Sequence, residues 1–171
     1  MILSGLEIAK KIGHEIIIEP YNEAHLGPNS YDLRLADKLA IYDFDKHLDI
    51  KGKNDIKEIT IPQSGLVLEP NKLYLGYTVE KTKTLGYVPM LEGRSSMGRL
   101  GLSIHVTAGF GDVGFDGHWT LEISCIHPIK IYPNMRICQI YYHKIEGEYR
   151  AYNSKYQNNS GLQASMAYLD G

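Results

Sequence analysis

Only two cysteines, Cys125 and Cys138, occur in the 171 residues. They stand thirteen positions apart, which fits no short-spaced metal or redox pair. Reduced thiols in a cytoplasmic protein are the expected state. No apolar run approaches the ~20 residues that a membrane-crossing helix needs. The opening MILSGLEIAKK lacks the charged start and long apolar stretch of a secretory signal, so a cytoplasmic location is expected. Neither sign of charge dominates: 18 Lys and Arg face 20 Asp and Glu, a net charge of −2. That balance gives no footing for nucleic acid or for a membrane surface. Metal-site spacings are also missing. The seven histidines show no H-E-x-x-H, and two cysteines at this distance cannot build the P-C-x-x-C half of a zinc-deaminase signature. No protein-bound catalytic metal is expected. There is no P-loop.

A sustained 3.6-residue period is missing too, apart from one short segment. Residues 4–12 read as a helix, with Ser4 as its cap, Glu7 completing a capping box and Gly13 as its stop. Leu6, Ile8, Ala9 and Ile12 form its expected apolar face. The rest reads as short strands between turns: 15–19, 31–35, 39–42, 59–61, 66–68, 73–79, 87–91, 103–108, 118–126, 129–132 and 137–144. Segments 43–57 form an exposed hairpin or loop. About ten strands at 8–12-residue spacing indicate an all-β sandwich or barrel. Thirteen tyrosines suit half-buried strand surfaces. From Gly147 on, the chain loses its hydrophobic period. It reads either as a loose tail or, through Tyr149, Tyr152, Tyr156 and Tyr168, as a segment that orders over something.

Gly109-Phe110-Gly111-Asp112-Val113-Gly114 fits G-x-G-x-x-G, but a dinucleotide site requires a helix directly after it. Here Phe115-Asp116-Gly117 leads into an alternating strand, so the Rossmann reading is rejected. Tight β-turns with positive φ are expected instead. Arg94-Ser95-Ser96-Met97-Gly98-Arg99 gathers guanidinium forks and hydroxyls suited to phosphate oxygens. A solvated loop with surface ion pairs is the competing reading. In 119–125, Trp119, Leu121, Ile123 and Cys125 face one way, and Thr120, Glu122 and Ser124 the other. Glu122 therefore points either to solvent or into a pocket, where a carboxylate serves acid–base chemistry. Asp112 is either a turn cap or a site residue. His105 reads as a hydrogen-bonded core or interface histidine in mid-strand.

These blocks in this order resemble the dCTP deaminase family of the dUTPase superfamily. The resemblance runs through Glu92–Gly101, His105–Gly109, Gly111–Gly117 and Thr120–Glu122. It extends to Met1–Ser4, Gly27–Leu35, Asn134–Ile140 and the tail Lys155–Gln157 with Gly161. It implies an all-β fold, a distorted β-barrel or jelly roll with a short N-terminal helix, assembled as a homotrimer with sites between subunits. Residues 1–171 form one dUTPase-like domain, with 147–171 as a C-terminal arm that closes over the nucleotide.

The resemblance also assigns roles. Arg94, Ser95, Ser96, Met97, Gly98 and Arg99 hold the triphosphate and line the deamination site. Asp112 and Phe115 serve the deoxyribose. Thr120, Leu121 and Glu122 form the base end, with Glu122 as general acid–base. Gln139, Tyr152, Lys155 and Asn159 close over the nucleotide. Ser95 and Arg99 orient water and stabilise developing charge. Mg²⁺ arrives with the triphosphate, held mainly by phosphate oxygens and water. dTTP is a feedback inhibitor in relatives.

Members that stop at dUTP often carry histidine after the Thr-Ala pair, where this chain has Gly109 after Thr107-Ala108. The missing side chain is expected to admit a second water near the α-phosphorus, with Asp112 positioning it. The implied reaction is dCTP + 2 H₂O → dUMP + NH₃ + PPi. The alternatives are a deaminase that releases dUTP, a plain dUTPase, and a nucleotide-sensing regulatory trimer without catalysis. Two departures stand out. The chain is short for the family, with an expected deletion around 152–161, and Asn159 stands where a glutamine is usual.

Overall fold

The computed structural model describes residues 1–43, 45–105 and 108–170. Helix α1 (Gly5–Lys11) starts where Ser4 Oγ accepts the Glu7 N–H at 3.2 Å. The Glu7 carboxylate lies beside Lys10 and Lys11 (3.6 and 3.5 Å). Ile8 is buried on this helix, but Leu6 is 76% exposed, so the apolar face is narrower than its sequence pattern. Gly13 follows the helix with φ +83°.

The strands are β1 (Ile16–Glu19), β2 (Tyr31–Arg34), β3 (Lys38–Tyr42), β4 (Ile56–Thr60), β5 (Leu66–Leu68) and β6 (Tyr74–Thr84). They continue with β7 (Tyr87–Gly93), β8 (Leu102–Ile104), β9 (Asp116–Cys125), β10 (Ile129–Ile131) and β11 (Arg136–Lys144). A single turn of helix, α2 (Ser95–Gly98), separates β7 from β8. One sheet has the order β4-β3-β6-β9-β8, with β1 added to the far half of β6. A second sheet runs β2-β11-β7, and β10 pairs with β5. The pairings between these strands are antiparallel. The fold is all-β, as expected. No helix among the described residues is long and apolar enough to cross a membrane.

Alternation along the strands builds the core. Tyr31 and Leu33 of β2, Leu91 of β7, Leu121 and Ile123 of β9, and Ile140 and Tyr142 of β11 are fully buried in one cluster that joins the sheets. Each such aliphatic side chain contributes roughly 1.5–3 kcal/mol on burial. Both cysteines are buried and free of disulfide. Burial pushes the Cys138 thiol far up, helped by the nearby carboxylates of Glu80 and Asp32.

Strand β6 corrects the sequence pattern. The apolar positions Leu73, Leu75, Tyr77 and Val79 mark a real strand, but the fully inward row is Thr78, Glu80, Thr82 and Thr84. Each polar side chain there has a partner. Thr78 Oγ1 donates to the Glu80 carbonyl (2.7 Å) and accepts from the Trp119 N–H (3.0 Å). Thr82 Oγ1 accepts from Trp119 Nε1 (2.8 Å), and Thr84 Oγ1 donates to the Tyr87 carbonyl (2.6 Å). Leu75 faces the other way, under Leu162 and Ala164 of the C-terminal segment. Glu80 has no exposed surface, and its carboxylate takes both the Nε (2.6 Å) and the backbone N–H (2.8 Å) of Arg34. Truncating one member of such a pair leaves the other unpaired at a cost of 3–5 kcal/mol. The Arg34 side chain is 24% exposed, so Glu80→Ala is expected at the low end, a loss of about 3 kcal/mol. Its urea midpoint should fall well below the parent's at unchanged slope.

Candidate active site

A cavity of about 510 Å³ opens beside β9. Its walls come from the outward face of that strand, residues 108–112, the loop around Leu48–Asn54, and the C-terminal segment. The alternation of β9 sets the floor. Leu121, Ile123 and Cys125 turn inward, leaving His118, Thr120 and Glu122 on the cavity side, while the largely buried Trp119 still meets the cavity beside Phe115. Of the two readings open for Glu122, the pocket is the observed one.

His105 also lines the cavity, and its Nδ1 lies 2.6 Å from Glu122 Oε2. His105 is buried, as its mid-strand reading expected, and its ring stands against the Glu122 carboxylate, where neither facing atom has a partner elsewhere among the described residues. Strand β8 ends at Ile104, and His105 has φ +55°, a left-handed conformation that non-glycine residues hold at a cost of order 1–3 kcal/mol. Its backbone N–H is tied to the Glu122 carbonyl (3.0 Å). Val106 and Thr107, which the sequence reading placed in the same strand and in the Thr-Ala-Gly block, lie outside the described residues. Sequence reasoning missed His105 as a site residue, as it missed Tyr42, Asp49 and Asn54, and nothing in their local pattern marks them; Tyr156, one of the tail aromatics expected to order over something, is also on the wall.

The expected positive-φ turn is found at Gly114, where the Phe115 N–H donates to the Asp112 carbonyl (3.2 Å), but Gly109 and Gly111 have a different cause. Residues 109–111 run as a strap along β7: the Leu91 N–H donates to the Gly109 carbonyl (2.7 Å), and the Gly111 N–H to the Pro89 carbonyl (2.9 Å). A Cβ on Gly109 would come closer than 3.0 Å to the Leu91 carbonyl oxygen. Its missing side chain thus faces β7, not the cavity, whose wall takes Ala108 and Phe110 instead. Of the three pattern glycines only Gly114 has positive φ (+87°), and a Cβ there would stand 2.7 Å from that of Ala151. Asp112 is exposed and lines the cavity; Phe115 is buried between Trp119 (4.7 Å) and Tyr152 (6.0 Å).

The C-terminal segment is laid against the start of β9. The Tyr152 N–H donates to the Val113 carbonyl (2.8 Å) and the Asn158 N–H to the Asp116 carbonyl (2.8 Å). Gln157 Oε1 accepts from the Asp116 N–H (2.9 Å), and Asn159 Nδ2 donates to the His118 carbonyl (2.8 Å). Beside this seam the Asp116 carboxylate sits between Lys81 (2.8 Å) and Lys83 (3.1 Å). Burial alone would raise its pKa, but hydrogen bonds from the two lysines prevail and hold it below the usual carboxylate range. Tyr152 and Asn159 reach the cavity. Lys155 does not line it; its ammonium contacts the Asp170 carboxylate and lies 5.6 Å from the Tyr156 ring centroid.

The expected site residues therefore divide. Asp112, Phe115, Thr120, Glu122, Tyr152 and Asn159 share the cavity. Leu121 is fully buried in the core, so its side chain offers the cavity nothing. No side chain from Arg94 to Arg99 lines the cavity. Ser95, Ser96, Gly98 and Arg99 are exposed around α2, while Met97 packs against the core. Arg94 Nε donates to Asp32 Oδ1 (3.1 Å). Gln139 stands on the β2-β11-β7 sheet, in contact with Ser30 Oγ (3.2 Å). A carboxylate pocket and an arginine-serine cluster thus occupy separate parts of one chain. Among the described residues no three His, Cys, Asp or Glu side chains gather as a metal cage.

The sequence profile of a family described as dCTP deaminase-like matches residues 2–145. A curated relative from Clostridium botulinum (strain Eklund 17B / Type B), named "dCTP deaminase, dUMP-forming", is 63% identical over 171 residues, covering 99% of this chain and 98% of that one. Relatives of the same name from Cytophaga hutchinsonii and Leptospira biflexa are 60% and 56% identical over the same shares. Such coverage corrects the expectation that the chain is short for its family. A solved 2'-deoxycytidine 5'-triphosphate deaminase from Agrobacterium tumefaciens superposes with a TM-score of 0.66 at 23% identity. That match covers 82% of this chain and 47% of the other, and the likeness is one of fold.

Proposed function

This chain belongs to the dCTP deaminase-like family, and on that premise we propose that it converts dCTP to dUMP, releasing ammonia and pyrophosphate. The carrying observation is the place of Glu122, a carboxylate on the floor of a cavity large enough for a nucleoside. Glu122 takes a proton from water as the oxygen attacks C4 of cytosine, and returns it to N3 or to the departing ammonia. Acid–base catalysis of this kind supplies typically ~10²–10⁴-fold. Further acceleration comes from positioned donors. A second water then attacks the α-phosphorus of the bound dUTP, and pyrophosphate leaves.

Donors for the phosphates stand at Arg94, Ser95, Ser96 and Arg99, which line no part of the same chain's cavity. In this reading a second copy brings its own to the cavity, and a closed homotrimer supplies one such neighbour to every chain. Tyr152 and Asn159 complete the cavity from the C-terminal arm. Lys155 reaches the nucleotide only by leaving Asp170. A magnesium ion that arrives with the triphosphate would be held mainly by phosphate oxygens and water, with the Asp112 carboxylate on the cavity wall as an oxygen ligand. Such an ion neutralises phosphate charge.

The test is incubation with dCTP and Mg²⁺ followed by chromatography of the products. dUMP and pyrophosphate are expected. dUTP alone would remove the second hydrolysis, and unchanged dCTP would remove the whole reading. Parallel incubation with dUTP reads the second step by itself.

A further inference from the structure

We propose that Asp32 is a positioning residue that holds Arg94 by one edge and leaves its other edge for the triphosphate. This rests on the phosphate role of Arg94 given above.

Strand β2 buries Tyr31 and Leu33 completely, which turns Asp32 and Arg34 to the opposite, half-buried side. The Asp32 side chain is 16% exposed and lies between two arginines. Its Oδ1 accepts from Arg94 Nε at 3.1 Å, and its Oδ2 from Arg136 Nη1 at 3.3 Å. Arg94 Nη1 donates in turn to the Arg136 carbonyl at 3.4 Å. A guanidinium has five N–H groups. Asp32 takes the one nearest the stem and the Arg136 carbonyl takes one terminal N–H, leaving three terminal N–H groups for a ligand.

That arrangement matters for binding in two ways. A free arginine stem carries about 2 kcal/mol of rotamer entropy, lost when a ligand fixes it. Holding Nε fixes the guanidinium plane beforehand. The single carboxylate also lets two arginines stand together while leaving a net positive charge between them, so the place still attracts an anion. Asp32 is placed for this on the sheet. It pairs in register with Gln139 on β11, and Arg94 leads from β7 directly into α2. Two residues assigned to the nucleotide thus flank it, while Asp32 itself lines no part of the cavity.

Steady-state kinetics with dCTP decide the matter. Asp32→Ala should raise KM about tenfold, the worth of one charge-assisted hydrogen bond, with kcat within about twofold of the parent. Asp32→Asn keeps an oxygen acceptor for Nε and should recover most of that loss. If Asp32→Ala does not fold, Asp32→Ser takes its place, because a serine hydroxyl is too short to reach Arg94. An unchanged KM with a lowered thermal midpoint would make Asp32 a fold-stabilising residue only and overturn the proposal. A matched fall in kcat without a rise in KM would overturn it as well. Arg94→Ala separates the two layers of the argument. If it leaves KM unchanged, the phosphate reading of Arg94 fails. If it raises KM while Asp32→Ala does not, the positioning role alone fails.

Discussion

A Glu122→Gln protein is expected to bind dCTP with near-parental affinity and to lose about 10²–10⁴-fold in the rate of ammonia release. Glutamine matches the shape of glutamate, so the cavity floor and the β9 alternation stay intact. What goes is the proton acceptor. No other carboxylate among the described residues replaces it on that floor: Asp112 and Asp49 enter the cavity from its walls, just after the strap and on the β3–β4 loop. The contact with His105 changes character but not position, because the His105 backbone is tied to the Glu122 carbonyl and not to its side chain. Calorimetric titration with dCTP and an ammonia assay on the same preparation check the split. Parental deamination by this variant would remove Glu122 from proton transfer.

The second large effect is expected at Gly109. Gly109→His should stop the reaction at dUTP and should also destabilise the protein. The sequence resemblance offers open space as the reason for glycine here, but the fold gives a different physical route. A Cβ at this position would run into the Leu91 carbonyl of β7, so any side chain forces the strap 109–111 off that strand. Overpacking of this kind costs typically 1–3 kcal/mol. Asp112 follows the strap directly and lines the cavity, so the shift reaches the carboxylate assigned to the second water. Product chromatography from dCTP should show dUTP accumulating where the parent yields dUMP. The thermal midpoint should fall alongside. A variant that still yields dUMP at the parental ratio would detach Gly109 from the second hydrolysis.

Much of the fold could be read from local pattern. The Ser4 cap and the two faces of β9 are where alternation and capping chemistry place them, because one physical demand governs each: an orphan N–H at the helix start, and one wet and one dry side on the strand. Strand β6 could not be read that way. It is buried on both sides near its start, and its inward row is polar because Trp119 and Arg34, far away in sequence, bring the matching donors. Leu6 misleads for a related reason: about two turns of helix bury only Gly5 and Ile8. The glycine pattern shows how one motif can arise from two needs. Gly109 and Gly111 let a strap lie flat on β7, while Gly114 makes room for the C-terminal segment.

The site was legible in a different way. Residue types announced a phosphate ligand and a proton acceptor, and the family resemblance gave them roles. Local pattern could not say that the two groups lie on separate surfaces, since that depends on which sheet each strand joins. Nor could it find His105, whose nearness to Glu122 depends on β8 ending one residue before it.

Strand β7 has a consequence for how the proposed assembly would work. Its middle carries the strap that leads to Asp112, and its last residues lead into Arg94 and α2. One stiff strand of seven residues therefore spaces a chain's contribution to its own nucleotide from its contribution to a neighbour's. If the proposed ring of three forms, each chain is a wall shared by two rooms, and a single defective copy spoils both.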